Sequence, residues 1–167
     1  MAKFSVLDYI DASNFPVLFS TKQSIVVMFG IMAGSKILHL ILSYALLKKY
    51  DNTQASYRSG GLSGKSALSK DDEWKGKLIQ RSYNAHLNHI EAFIGLSAAI
   101  LMSLTSSLSV AATSEIHQLA NAFIIIRIIY NIVYIFAANE ALSYIRSSVF
   151  LYGFLMNLKI FVLSTAP

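Results

Sequence analysis

Four stretches of this chain are mostly apolar, at about residues 24–47, 82–108, 115–138 and 144–164. Each matches the roughly 20 residues that a helix needs to cross a hydrocarbon core. The pattern predicts transmembrane helices. Between the first two lies the long polar segment, residues 48–81, with Ser59-Gly-Gly-Leu-Ser-Gly64 at its middle. The run Ser69-Lys-Asp-Asp72-Glu-Trp places acids where a helix starts and bases after them, so the second helix is expected to begin before the membrane and enter it near Ser82. Ser109 to Thr113 reads as a short uncharged turn. Residues 1–23 mix Phe4, Val6, Leu7 and Phe15-Pro16-Val17-Leu18-Phe19 with Asp8, Asp11 and Lys22. They lack the basic start and unbroken apolar core of a cleaved signal and suggest an amphipathic lead-in along the membrane surface. Gly30 and Gly34 form a small-xxx-small pair, expected to let another helix approach closely.

Composition agrees. Hydrophobic residues make up 54% of the chain and charged ones 14%, with a mean hydropathy of +0.51. Soluble domains carry about 25% charged residues. The expected fold is an all-α integral membrane protein, a single four-helix domain over residues 24–167. The absence of cysteine excludes disulfides, thiolate-bound metals and a protein thiol nucleophile. Any thiol chemistry must therefore draw its sulfur from a ligand.

The net charge of +5 is unevenly placed. Lys48, Lys49, Arg58, Lys65, Lys70, Lys75, Lys77 and Arg81 all fall between the first two spans, and Arg146 joins the same side. The distribution of basic residues predicts that this side faces the cytoplasm, or the matrix in a mitochondrion, with both termini facing away. No exposed basic face remains for nucleic acid.

Ionisable residues inside a span mark functional candidates, because each costs several kcal/mol unless paired or hydrated. At a rise of 1.5 Å per residue, Glu91 lies roughly 13 Å below the basic end of its span, and Arg127 and Lys36 each roughly 16 Å. One acid and two bases are thus expected at one level, with Glu91 and Arg127 as an ion pair. Arg81, Asn84, Asn88 and Glu91 form one helical stripe. Arg127, Tyr130 and Tyr134 form another, and Lys36 and His39 a third. These stripes are expected to face one another, either as structural glue or as a polar ligand site or ion path. Tyr130 and Tyr134 are by default packing aromatics. His86 and His89 read as membrane-boundary residues. With Glu91 offset around the helix, they do not form a metal-binding trio.

The stretch Arg81-Ser-Tyr-Asn84-Ala-His86-Leu-Asn88-His-Ile-Glu91 resembles the Arg-x-x-Arg-Ala-His-x-Asn-x-x-Glu motif of the MAPEG superfamily, membrane-associated proteins of eicosanoid and glutathione metabolism. Arg127-Ile-Ile-Tyr130-Asn-Ile-Val-Tyr134 is similar to its third-span pattern. Arg146-Ser147 is similar to the pair opening its fourth span, and Lys36 to a lysine often found in its first. The resemblance covers about residues 24–164 and looks nearest to the bacterial-type and protist branch. It implies a homotrimer with glutathione at each subunit interface, near the cytoplasmic side. Arg81, Asn88, Glu91, Tyr130, Ser147 and Lys36 would then bind the cofactor. Arg146 and Tyr134 would be catalytic, with Arg146 favouring the thiolate. The implied chemistry is thiolate attack on lipophilic electrophiles, or peroxide reduction.

Departures from the family pattern accompany the match. Asn84 stands where the family has arginine, removing a bidentate carboxylate anchor. Leu87 offers no charge, and the interval from Tyr134 to Arg146 is longer than usual. Two functional expectations follow. The first is a glutathione-dependent transferase or peroxidase of the endoplasmic reticulum or another intracellular membrane. The second is a catalytically reduced accessory subunit of a larger membrane complex, such as a respiratory assembly of the mitochondrial inner membrane.

Overall fold

A computed structural model describes residues 6–47, 73–136 and 140–165. The glycine-rich part of the polar segment and the Ser69–Asp72 helix start lie outside the described residues. A short 3₁₀ turn, Val6–Tyr9, precedes four helices: α1 (Thr21–Leu47), α2 (Glu73–Thr105), α3 (Val110–Phe136) and α4 (Glu140–Thr165). Each is long and apolar enough to cross a membrane. The protein is an all-α, four-helix integral membrane protein.

Local chemistry sets helix starts that hydropathy misses. Ser20 and Gln23 form a capping box: the Ser20 N–H donates to Gln23 Oε1 at 2.9 Å, and the Gln23 N–H donates to Ser20 Oγ at 3.4 Å. The helix therefore starts at Thr21, before the apolar run. Ser109 caps α3, accepting the Ala112 N–H on Oγ at 3.2 Å. Most of the expected turn at 109–113 is consequently helical.

Helices α2 and α3 form the centre of the bundle. Helix α1 packs against both from one flank and α4 against both from the other, while α1 and α4 do not touch. Met28, Leu96, Ile100, Leu119, Phe123, Ile124, Met156 and Ile160 fill the core. Gly95 marks the close approach of α2 and α4, where a Cβ would stand 3.0 Å from Asn157 Nδ2, whereas a Cβ at Gly153 would make only an ordinary contact with Phe123 at 3.5 Å. Gly30 and Gly34 meet no helix of the same chain. Nothing within the subunit comes within 4 Å of a Cβ at either position. The buried face of α1 runs instead through Met28, Ser35, His39 and Ser43, which leaves both glycines facing outward.

The described part of the lead-in, residues 6–20, packs onto the bundle itself. It folds over the end of the bundle, burying Ile10 and Ala12 and packing Phe15 and Phe19 against the core. Buried Asn121 of α3 holds it. Asn121 Oδ1 accepts the Leu18 and Phe19 N–H groups, each at 2.8 Å. Its Nδ2 donates to the Phe19 and His117 carbonyls, also at 2.8 Å. Lys159 adds a second tie, donating to the Ile10 carbonyl at 2.7 Å and pairing with Glu115 at 2.6 Å. These contacts win because a chain crossing a bundle end must satisfy its backbone polar groups. Asp11 accepts the Ser13 N–H at 2.8 Å, which holds its carboxyl below the usual range.

Candidate functional site: a polar array beside a membrane-level cleft

Helix α2 carries two polar faces, and they serve different neighbours. Toward α1 it presents Ser82, Tyr83 and His86. Ser82 Oγ donates to the Ile79 carbonyl at 2.7 Å, so at the 3.0 Å contact it accepts from His39 Nδ1–H. In the same way Ser35 donates to the Met32 carbonyl at 2.6 Å and accepts from His86 Nδ1–H at 3.1 Å. Lys36 stands over the Tyr83 ring, 5.4 Å from its centroid. The α1 stripe therefore meets the Ser82–His86 face, and Lys36 lies some two turns from Glu91 along α2. The expected single level of one acid and two bases is not formed, because the antiparallel α1–α2 pairing sets Lys36 closer to the basic end.

Toward α3, α2 presents Arg81 and Asn88. Arg81 Nε donates to the Ile135 carbonyl at 3.0 Å. That carbonyl belongs to the last turn of α3, where helical partners run out and a cation is favoured. Asn88 Nδ2 donates to the Tyr130 hydroxyl at 2.8 Å. Tyr130 lies 5.4 Å from Tyr134, ring to ring, and the Arg146 guanidinium stands 4.7 Å over Tyr134. Arg146 also donates to Ser143 Oγ at 3.1 Å. Asn88, Tyr130, Tyr134 and Arg146 thus form one continuous array spanning α2, α3 and α4. The long interval before Arg146 is largely absorbed as extra helix on either side of residues 137–139, which lie outside the described residues. Ser147 does not join the array. It is exposed, and its hydroxyl donates to the Ser143 carbonyl at 3.1 Å.

Beside the array, α2 and α4 part to leave a cleft of ≈ 470 Å³. Exposed Glu91, Phe154 and Leu158 stand along it, and buried Ala92 and Arg127 line its depth. Arg127 is only 4% exposed, yet its Nε and Nη1 have no hydrogen-bond partner. Its guanidinium sits 5.2 Å from the Phe123 centroid, 5.1 Å from Tyr130 and 5.3 Å from Phe150. The expected Glu91–Arg127 ion pair does not form: Glu91 lies on the outward face of α2, while the aromatic rings draw the guanidinium inward. Both charges line the same cleft. Asn157, whose buried Oδ1 is also unpartnered, lines it too.

Several of these groups escape sequence reasoning. His89 is fully buried, edge-on to Tyr130 at 6.4 Å, rather than at the membrane boundary, because α2 begins four turns earlier at Glu73. The spacing of Ser82, His86 and His89 by four and three was the available signal for a second polar stripe. Asn157 carried no comparable signal.

No curated protein and no solved structure matches the chain. A model of the MAPEG family matches residues 28–166, which take in most of α1, the other three helices and every residue of the array. The chain belongs to the MAPEG family.

Proposed function

We propose that this protein is a glutathione-dependent transferase or peroxidase acting on lipophilic electrophiles. The observation that carries the reading is the buried Arg127 guanidinium, its Nε and Nη1 without partners, at the depth of a cleft whose other charged group is Glu91. A buried donor without an acceptor costs about 1–3 kcal/mol, more when charged, and a bound carboxylate removes that cost. Glutathione carries two carboxylates and one ammonium, so an arginine and a glutamate along one cleft suit its charges. Asn88 and Tyr130 would add neutral polar contacts. Arg146, stacked on Tyr134, would favour the thiolate that bound glutathione supplies as nucleophile. The aromatic and aliphatic walls from Phe154 to Phe161 would admit an apolar substrate from the bilayer. A homotrimer would cover Glu91 and Ser147 from lipid, and the outward Gly30 and Gly34 suit close helix contact.

The test is thiolate formation by purified protein in glutathione. The wild type is expected to show thiolate absorbance and protection from thermal unfolding. Arg146→Ala is expected to lose the absorbance while keeping most of the protection. If the wild type shows neither signal, the enzyme reading fails.

Asn84 favours a second reading, the accessory subunit, because the family's arginine anchor is missing there. Copurification with a large membrane complex and no response to glutathione would support it. A free trimer that responds would not.

A further inference from the structure

A second cavity, of ≈ 440 Å³, opens at the basic end of the bundle between the start of α2 and the end of α3. Trp74, Lys77, Leu78, Arg81 and Phe136 line it. Three features of this cavity have no role in the array. Trp74 and Phe136 are 56% and 67% exposed, a large apolar display for two residues at helix ends. Lys77 and Arg81, one turn apart on α2, put two cations on its wall. Arg81 is held there, since its Nε is committed to the Ile135 carbonyl at 3.0 Å.

We propose that this cavity is a binding site for the phosphate headgroup of an anionic phospholipid. The phosphate would lie between Lys77 and Arg81, with its acyl chains running over Leu78 and Phe136 and the Trp74 ring at headgroup depth. Position and charge together select this occupant. The cavity sits where helices leave the hydrocarbon core, and there tryptophan favours the headgroup layer. The basic residues assign this end to the cytoplasmic leaflet, which carries anionic lipid and attracts basic groups near its surface. The opposite end supplies a contrast. The cavity there, ≈ 210 Å³, is lined by Thr21, Ser103, Ser106, Thr113 and His117 with two leucines and an isoleucine, and holds no lysine or arginine. A general affinity of helix ends for lipid headgroups would not distinguish the two ends, whereas paired cations do.

Native mass spectrometry of the full chain in detergent, titrated with phosphatidylglycerol, phosphatidylcholine or inorganic phosphate, tests the site. Phosphatidylglycerol is expected to stay bound at lower concentration than phosphatidylcholine, and inorganic phosphate is expected not to displace it. Arg81→Gln and Lys77→Gln are each expected to weaken phosphatidylglycerol about fivefold. Lys77 is exposed near the start of α2, so its variant keeps the test open if Arg81→Gln fails to fold. Equal retention of the two lipids, unchanged binding by a folded variant, or displacement by inorganic phosphate would each overturn the assignment.

Discussion

Asn121 and Arg127 lie less than two turns apart on α3, both buried, and the fold treats them in opposite ways. Asn121 makes four hydrogen bonds, and both its oxygen and its nitrogen are used. Arg127 sits among aromatic rings with Nε and Nη1 unpartnered. The α1–α2 seam resembles Asn121, since its serines and histidines settle each other's donors and acceptors. Polar residues at membrane depth thus fall into two kinds. Those that satisfy each other hold helices together. Of those left unsatisfied, His89, Ser97 and Asn131 stand away from the α2–α4 cleft, whereas Arg127 and Asn157 line it, and there a ligand has something to supply.

The sharpest way to break this division is to remove one member of each kind. Asn121→Ala orphans backbone groups at Leu18 and Phe19, and a loss of about 3 kcal/mol is expected. Thermal melting in detergent measures it, and faster proteolysis before Thr21 should accompany it. Wild-type melting would mean that the clamp holds nothing. Arg127→Met should behave oppositely. Replacing a buried, unpaired charge by an apolar side chain is expected to leave melting unchanged or raised by about 1 kcal/mol. Glutathione affinity, read by calorimetry, should instead fall about tenfold or more. A large loss of stability would move Arg127 into the structural kind.

Lys159→Met sharpens the structural side. It removes the Ile10 bond and the Glu115 pair, and Glu115 is partly exposed, so about 1 kcal/mol is expected. Gly34→Leu has the smallest expected effect on the subunit, within about 0.5 kcal/mol, because no atom of the subunit crowds that position. Native mass is its readout. A fall in mass from an oligomer toward the monomer would show that the outward glycine face packs against another copy.

The sequence was legible where the physics is local or periodic. Hydropathy located all four spans, and the α2 and α3 stripes predicted that Asn88, Tyr130 and Tyr134 would be close, as the Asn88–Tyr130 bond and the Tyr130–Tyr134 contact bear out. Depth and spacing failed where side-chain direction decides. Glu91 and Arg127 share a level but not a direction. Counting depth along α2 from Ser82 sets Glu91 level with Lys36, but the helix begins at Glu73 and brings Tyr83 to Lys36 instead. Asn121 lay unnoticed in an apolar run because its partners are backbone groups of the lead-in, which no side-chain pattern announces. The cleft depends on how far α2 and α4 stand apart, a property of packing that neither helix carries alone.

The Asn121 clamp also imposes an order of events. The amides of Leu18 and Phe19 meet their acceptor 103 and 102 residues later in the chain. While the ribosome is still producing the second helix, the lead-in has nothing to close against. The first part of the protein to be made is therefore among the last to take its place, once the third helix has entered the bilayer.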